Sequence, residues 1–393
     1  MITYLCNLIY IMQKSFTSDN FKLGILGGGQ LGRMFIQEAI SYNLDVHVMD
    51  PDENAPCKDI STTFRTGSLK DFDSVYEFGK DKDVVTIEIE HVNADALQKL
   101  ENEGVKVFPQ PKILKMIQDK GLQKQFYAEH GIPTSDFHLI DGKDDILRFR
   151  SEFPFMQKMR TGGYDGRGVT PLRNDTDLEK AFDAPSLLEK YVDFDKEISV
   201  IVARNESGEV KSYPVVELEF NPEANLVDFL FAPANLVDGI EETARKIAED
   251  LVEKTGIVGL LAVEMFVTKT GEVLVNEIAP RTHNSGHQSI EGNVTSQFEQ
   301  HLRSVLNLPL GDTRMIEPSV MVNLLGEKGF EGEAVYKGME EVLKMPGVHV
   351  HLYGKKFTRS FRKMGHVTVG AKTLEAAHKI AVEVKETLKV VTG

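Results

Sequence analysis

Two glutamates in the second half of the chain stand at positions suited to holding a metal ion. The segment AVEMFVTKTGEVLVNEI predicts two strands joined by a turn at residues 269–272, and in a symmetric hairpin residue 264 faces residue 277. Two carboxylates about 5 Å apart repel each other and destabilise a sheet unless a cation lies between them. Mg²⁺ prefers hard oxygen ligands, water and phosphates. The spacing therefore predicts a magnesium site at Glu264 and Glu277, with two solvated glutamates in a register slipped by one residue as the alternative.

A glycine-rich loop supplies groups that suit phosphate. The segment MQKMRTGGYDGRGV, residues 156–169, places Lys158 at the end of a predicted strand and four glycines between positions 162 and 168. The spacing differs from GxxxxGK[ST], because Lys158 precedes the glycines, so a Walker-type phosphate loop is excluded. The pattern predicts a flexible loop able to fold over phosphates, and an ordinary mobile surface loop is the alternative.

A second group of glycines opens the first predicted helix. Gly27-x-Gly29-x-x-Gly32 follows a strand, and Asp50 closes the next strand, which fits the dinucleotide-binding fingerprint. The same turn suits any small phosphate, since exposed backbone N–H groups and the helix dipole attract the anionic group whatever molecule carries it. A substrate phosphate is favoured here, and nicotinamide binding and a purely structural turn are the alternatives.

The elements that must position these residues can be read along the chain. From Lys22, the segments KLGIL, GGGQLG, RMFIQEAISY and DVHVMD predict a βαβ unit on a parallel sheet. Further strands are predicted at 83–89 and 105–108 and a helix at 112–130, after which strands such as FPFMQK and ISVIVAR indicate an α+β body. In SLLEKYV, the extended residues 189–192 offer backbone and carboxylate groups to an adenosine, although a structural strand end is the alternative.

Length and composition indicate a multidomain globular protein. A chain of 393 residues exceeds what one hydrophobic core usually supports. We predict an N-terminal extension outside the core at 1–21, an α/β domain at 22–115, a central domain at 116–310 and a small C-terminal domain at 311–393. The net charge of −15 argues against nucleic-acid and anionic-lipid partners. No apolar run approaches the ~20 residues of a membrane span, and two cysteines without a CxxC pair favour the cytoplasm over a disulfide-rich or zinc-stabilised protein.

Taken together, these segments resemble the ATP-grasp superfamily. The runs GGGQLGRM, RTGGYDGRG, NEIAPRTHNSGH and RKMGH occur in the order and spacing of the 5-(carboxyamino)imidazole ribonucleotide synthase family, and the match spans almost everything after residue 21. The resemblance implies an ATP-grasp fold with an N-terminal parallel-sheet domain and a small C-terminal domain. It also implies ATP- and bicarbonate-dependent carboxylation of 5-aminoimidazole ribonucleotide through carboxyphosphate, in purine biosynthesis, by a homodimer.

The resemblance carries site residues onto this chain. For ATP it implies contacts from Lys120, Lys158, Gly163, Tyr164, Asp165, Gly166, Arg167, Gly168, Val169, Glu189, Lys190, Tyr191, Val192, Glu197, Asn276 and Glu277. For the ribonucleotide it implies contacts from Gln30, Leu31, Glu88, Tyr164, Asp165, Arg167, Arg281, His283, Asn284, Ser285, Lys355 and Arg362. The implied catalytic residues are Lys158, Asp165, Arg281 and His283, and Glu264 and Glu277 are the implied ligands of Mg²⁺ or Mn²⁺.

Three other functions are alternatives to this carboxylation reaction. The related formate-dependent glycinamide ribonucleotide transformylases typically have PRPHDTG where this chain has PRTHNSG at residues 280–286. A nicotinamide oxidoreductase would leave Glu264 and Glu277 without a role, and a non-catalytic nucleotide sensor would typically lack one metal ligand. The chain also departs from its family at Ser360-Phe361, where Pro-Gly is usual before the arginine.

Overall fold

The first domain is a parallel sheet with helices on its faces. The computed structural model describes residues 14–163, 168–221, 223 and 226–393. The five parallel strands stand in the order β3-β2-β1-β4-β5, which confirms the predicted βαβ opening. The elements are β1 Leu23–Leu26, α1 Gln30–Ser41, β2 Val46–Asp50, β3 Thr63–Thr66, α2 Phe72–Gly79, β4 Val84–Ile87, α3 Ala94–Asn102 and β5 Lys106–Phe108.

The described end of the N-terminal segment packs on this domain. Phe21 is buried in the core beside β1, and Phe16 packs against the same cluster. Lys14 donates to the Asp83 carboxylate at 3.1 Å. The core of the first domain therefore begins before residue 22, the boundary expected from the sequence.

The helix predicted at 112–130 is two helices. These are α4, Pro111–Gln118, and α5, Lys120–Glu129. Asp119 between them is extended, and its carboxylate accepts hydrogen bonds from the backbone N–H groups of Gly121 and Leu122. An aspartate in this position caps a new helix, because it satisfies N–H groups that have no partner within the helix. The break places Lys120 at the first position of α5.

Residues 137–190 form a small antiparallel sheet in the order β6-β9-β7-β8. It has its own core, which includes Ile140, Phe155 and Leu188. The strands are β6 Phe137–Ile140, β7 Phe155–Met159, β8 Val169–Leu172 and β9 Ser186–Lys190, with 3₁₀ helices at Lys143–Glu152 and Asp175–Lys180.

A nine-stranded sheet forms the largest layer of the protein. Its path is β15-β14-β10-β12-β13-β16-β20-β18, and β11 pairs with β10. Its strands are β10 Phe194–Arg204, β11 Val210–Ser212, β12 Val216–Asn221, β13 Leu226–Ala232, β14 Gly259–Thr268, β15 Val273–Ala279, β16 Ser319–Leu325, β18 Val348–Leu352 and β20 Lys363–Gly370. The helices of this part are α6 Ile240–Thr255, α7 Ser289–Gly292 and α8 Gln297–Val305, with a 3₁₀ helix at Asn284–Gly286.

The C-terminal part continues this sheet. Strand β16 pairs antiparallel with β13, so backbone hydrogen bonds cross the boundary expected near residue 310. A three-stranded sheet, β19-β17-β21, lies beside it. The remaining elements are β17 Gly332–Lys337, α9 Met339–Val342, β19 Phe357–Thr358, α10 Leu374–Thr387 and β21 Lys389–Thr392. Among the described residues, no helix has the length and apolar character needed to cross a membrane.

Candidate functional site

The two glutamates of the predicted hairpin face each other. Glu264 on β14 and Glu277 on β15 are direct partners in the antiparallel register, as the count from the turn predicts. Burial raises the pKa of Glu264, and the nearby charge of Glu277 raises it further. The Lys120 ammonium instead holds the pKa of Glu277 low. The two carboxylates therefore form an acidic pair that a cation would stabilise.

The donor set at this pair suits a hard cation. In the described part of the chain, no three His, Cys, Asp or Glu side chains converge in a way that would hold a metal ion. Two carboxylates would thus leave the other coordination positions to water and phosphate oxygens. Mg²⁺ is usually bound in proteins in this way.

Two lysines border the carboxylate pair. Lys120 donates to Glu277 Oε2 at 2.5 Å. Lys158, on β7, donates to Asn276 Oδ1 at 2.8 Å and lies 2.9 Å from Glu189 Oε2. The structure thus brings Lys120 of α5 and Lys158 of the small sheet to residues of the hairpin that lie more than a hundred positions later in the chain.

A third lysine was missed by the sequence analysis. Lys124 is only 2% exposed, and its Nζ atom lies 3.4 Å from Glu189 Oε1 and 3.1 Å from Ser135 Oγ. Burial lowers the pKa of Lys124 to about 8. Glu189 is thus held between two ammonium groups, and its pKa is lowered although burial alone would raise it. The sequence signal was the position of Lys124 four residues after Lys120 on one helix.

The glycine loop joins β7, which carries Lys158, to β8. Tyr164, Asp165, Gly166 and Arg167 lie outside the described residues. The two ends of the loop come together, since Met159 donates its N–H to the Gly168 carbonyl at 2.8 Å. Val169 is the direct strand partner of Lys158, so the loop starts and ends beside the predicted phosphate-binding lysine.

The strand end predicted to hold adenosine runs from a buried Glu189 to an exposed Tyr191. Tyr191 is 52% exposed, Val192 is partly buried, and Lys190 donates to the Glu152 carbonyl. Glu197 lies on β10 in the register opposite Phe266. Burial raises the pKa of Glu197 to about 7, a value that suits a carboxyl group shielded in a cleft.

Arg281 is fixed by a partner that the motif analysis did not identify. Its Nε and Nη2 atoms donate to the two oxygens of Glu90, at 2.5 Å and 3.1 Å. Although burial raises the pKa of Glu90, the Arg281 charge lowers it to about 2. A bidentate pair of this kind sets the plane of the guanidinium group as well as its position.

The run that follows Arg281 is held by internal hydrogen bonds. Asn284 exchanges two hydrogen bonds with Asn323 on β16, at 2.9 Å and 3.1 Å. Ser285 is 2% exposed, and its hydroxyl contacts Ser199 and His283. His283 Nε2 lies 3.6 Å from Glu264 Oε1, and burial lowers the pKa of His283 to about 3. Of these three predicted substrate contacts, His283 is the one directed at the carboxylate pair.

The first glycine turn is occupied by acidic side chains. Gly28 N–H donates to Asp50 Oδ2 at 2.7 Å, and Leu31 N–H, at the start of α1 after Gln30, donates to Glu88 Oε1 at 3.2 Å. A side chain at Gly29 would collide with Glu88, since a Cβ atom there would lie 2.4 Å from its Oε1. Asp50 therefore closes the Gly28 end of the turn, where the pyrophosphate of a dinucleotide would lie, and Glu88 would have to release the Leu31 N–H before the phosphate of a smaller substrate could bind there.

We expect that NADH and NADPH do not bind this turn despite its glycine spacing. Asp50 and Glu88 already accept from the N–H groups that a dinucleotide pyrophosphate would need. Titration with NADH at micromolar concentrations, followed by nicotinamide fluorescence, should give no saturable change. ATP binding in the same sample is the control for an intact protein, and a saturable NADH signal would contradict this expectation.

The predicted phosphate contacts of the C-terminal part flank a loop that reaches the first domain. Gly354 lies against Arg33 of α1. Burial raises the pKa of Glu88, and the nearby Lys355 charge opposes this rise without cancelling it. Arg362 Nη1 donates to the Phe357 carbonyl at 2.6 Å. Phe361, where the family usually has glycine, has a φ of 62°, in the left-handed region that glycine adopts freely. The Ser-Phe departure thus keeps a glycine-like backbone before Arg362, at some cost in strain.

Family models match three consecutive parts of the chain. A ribonucleotide synthetase preATP-grasp domain matches residues 21–118, and an ATP-grasp domain matches residues 125–298. A phosphoribosylaminoimidazole carboxylase C-terminal domain matches residues 319–380. These matches agree with the ATP-grasp fold and the two flanking parts expected from the sequence.

Complete proteins resemble the chain over most of its length. The phosphoribosylaminoimidazole carboxylase of Vigna aconitifolia, a chloroplastic protein, is 41% identical over 365 residues, which are 90% of this chain but 65% of that protein. The N5-carboxyaminoimidazole ribonucleotide synthetase of Thermotoga maritima is 44% identical with a TM-score of 0.88, covering 95% of this chain and 100% of that one. The Aspergillus clavatus synthase in complex with ADP and 5-aminoimidazole ribonucleotide is 34% identical with a TM-score of 0.85, covering 94% and 98%.

Proposed function

The chain belongs to the N5-carboxyaminoimidazole ribonucleotide synthase family of ATP-grasp enzymes, and on that premise we propose that it carboxylates 5-aminoimidazole ribonucleotide. The co-substrates are ATP and bicarbonate, and the other products are ADP and phosphate. The observation that carries the proposal is the convergence of Lys120, Lys158 and the Glu264–Glu277 pair beside Arg281 and His283. Ammonium, guanidinium and carboxylate groups together suit the transfer of a phosphoryl group to a small acceptor.

The first step is the activation of bicarbonate. Bicarbonate is a poor electrophile, and a bicarbonate oxygen attacks the γ-phosphorus of ATP to give carboxyphosphate and ADP. Lys158 neutralises charge on the transferring group, and so does Arg281, which is oriented by Glu90 of the first domain. Glu264 and Glu277 would hold Mg²⁺ or Mn²⁺, which supplies charge neutralisation on the phosphates when bound.

The nucleotide lies between the small sheet and the large sheet in this proposal. Glu189, Lys190, Tyr191, Val192 and Glu197 contact the adenosine, and Lys120, Lys158 and Asn276 contact the phosphates. We propose that the glycine loop from Gly163 to Gly168, of which residues 164–167 lie outside the described residues, closes over the phosphates. Lys124 supports the set by neutralising Glu189 on the side away from Lys158.

The second step joins the amine to the activated carboxyl group. The exocyclic amine of the ribonucleotide attacks carboxyphosphate, or CO₂ released from it, in a site closed against water. Asp165 and His283 are the candidates to orient the amine. The substrate phosphate lies near Gln30, Leu31, Lys355 and Arg362, with Glu88 on the ribose. The functional unit in this proposal is a homodimer.

Release of ADP with each substrate omitted in turn tests the proposed reaction. We expect the full rate only with ATP, bicarbonate and 5-aminoimidazole ribonucleotide together, and one carboxylated product per ADP. Activity with formate and glycinamide ribonucleotide in place of bicarbonate and the imidazole would show the related transformylase reaction and overturn the proposal.

Arg362→Ala should raise the KM for the ribonucleotide by about 10-fold, because the variant loses one charge-assisted hydrogen bond to the substrate phosphate. The KM for ATP should change by less than about twofold, because the nucleotide lies on the other side of the cleft. Steady-state kinetics with each substrate varied separately measure both constants. The control is Arg359→Ala, three positions earlier and exposed, which should leave both constants unchanged. Equal KM values in Arg362→Ala and the parent would place Arg362 on a solvated face.

A further inference from the structure

Three buried polar side chains form a group next to His283. Ser199 on β10, Ser285 and Gln288 are each at most 2% exposed. All three line a small cavity of about 10 Å³. Such a volume is close to the lower limit for a single water molecule. Ser199 is also the direct strand partner of Glu264, so this group stands immediately beside the proposed metal ligands.

The contacts of His283 identify which ring nitrogen is unprotonated. The backbone N–H of Ser285 donates to His283 Nδ1 at 3.3 Å, and Ser285 Oγ lies 2.9 Å from the same atom. A backbone N–H can only donate, so Nδ1 acts as the acceptor. The ring proton is therefore on Nε2, the nitrogen that faces Glu264 at 3.6 Å.

The same logic fixes the direction of the hydrogen bonds behind the ring. Because Nδ1 accepts, the Ser285 hydroxyl donates to it and accepts in turn from Ser199 Oγ, which lies 2.8 Å away. Gln288 Oε1 is buried and has no hydrogen-bond partner among the described residues. A water in the cavity would donate one hydrogen to Ser199 Oγ and the other to Gln288 Oε1. Every donor and acceptor in this row is then satisfied, and bonds aligned in one direction reinforce each other.

We propose that Ser199 and Ser285, with a water held by Gln288, are positioning residues that keep the Nε2–H of His283 directed at the reacting carboxyl group. This inference rests on the proposed function. His283 then donates a hydrogen bond to a carboxyl oxygen of carboxyphosphate and does not take the amine proton. When the amine nitrogen bonds to the carboxyl carbon, the C–O bond to phosphate breaks, and the departing phosphate takes up that proton to leave as HPO₄²⁻.

Ser199→Ala tests the row of hydroxyl groups without touching the substrates. We expect kcat for carboxylation to fall by about 10-fold, because the hydrogen bond from His283 to the reacting group is then misaligned. The KM for ATP should stay within about twofold of the parent value. The ratio of ADP to carboxylated product should rise above one, because carboxyphosphate that is not captured is destroyed by water. The control is Ser304→Ala, a buried serine on α8 whose hydroxyl bonds to the Gln300 carbonyl.

A double-mutant cycle separates positioning from general support of the fold. In a His283→Asn background, Ser199→Ala should have less than about twofold further effect on kcat and on the product ratio. An unchanged 10-fold effect in that background would overturn the inference, as would a parent-like product ratio in Ser199→Ala. If Ser199→Ala fails to fold, Gln288→Met, which removes the acceptor of the water, takes its place with the same expected results.

The protonated nitrogen of His283 can be observed directly. In protein labelled with ¹⁵N-histidine, the signals lost in His283→Asn identify this ring, and its Nδ1 should show the shift of an unprotonated nitrogen. A protonated Nδ1 in the parent protein would overturn the inference even if the enzyme is active. An inactive parent protein with unprotonated Nδ1 would instead contradict the proposed function alone.

Discussion

Glu277→Gln should reduce ligase turnover by roughly 1000-fold while the fold stays intact. This decrease lies in the upper range of rate losses that follow removal of one group stabilising the charge in the transition state. Glutamine keeps the size of the side chain but removes the charge that faces Glu264 and holds Lys120. The binding of a divalent cation should weaken for the same reason. Turnover as a function of magnesium concentration measures both effects.

The matched control for Glu277→Gln is Glu272→Gln. Glu272 lies in the turn of the same hairpin and is exposed, so this variant should retain the parent rate. Circular dichroism and thermal unfolding of the two variants should agree. Near-normal turnover of Glu277→Gln at limiting magnesium would show that this carboxylate does not bind the metal.

Arg281→Met should lower kcat by about 100-fold with the KM for ATP within about twofold of the parent. The guanidinium group is held in one plane by Glu90, and we propose that it neutralises charge on the activated bicarbonate. In this proposal the Arg281 charge stabilises the transition state of phosphoryl transfer more than it stabilises bound ATP. Its removal therefore lowers kcat more than it changes the KM for ATP. Initial rates at saturating and limiting ATP separate the two constants.

Removal of Arg281 also leaves Glu90 as a partly buried charge without its partner, which destabilises a protein. The double variant Glu90→Gln/Arg281→Met removes this charge and should recover thermal stability but not activity. Arg303→Met, which breaks the ion pair with Glu299 on α8, is the control for loss of an arginine pair outside the cleft. Recovery of activity in the double variant would show that Arg281 serves the fold alone.

The sequence predicted those parts of the site whose geometry is local. The pairing of Glu264 with Glu277 followed from a count across one tight turn, because a hairpin register depends on the turn and on the side-chain period. The βαβ opening followed from the glycine turn and the alternation of strand and helix. The lysine before the glycine loop was found in the same way, since chain order alone places it at the strand end.

Contacts between distant segments could not be predicted from local patterns. Glu90 and Arg281 are 191 residues apart, and no periodicity connects them. A lysine on a helix is usually exposed, so the local sequence around Lys124 is that of an ordinary helix surface. Lys124 lies in the interior because it pairs with Glu189, a contact that local patterns do not predict. The break at Asp119 did have a local signal, because aspartate is a preferred N-cap residue, but the apolar pattern continued through it.

The C-terminal part is not a detachable module. Strand β16 supplies the hydrogen-bond partners of β13, and Phe229 of β13 packs in the core of the C-terminal part. A cut between residues 310 and 319 would therefore leave an apolar sheet edge unpaired, and such an edge is a template for aggregation. The hydrogen bonds between Asn284 and Asn323 tie the segment at residues 280–286 to the same strand. A chimera that takes its C-terminal part from a relative would therefore also have to take the strands that pair with it, because the two parts share one continuous sheet.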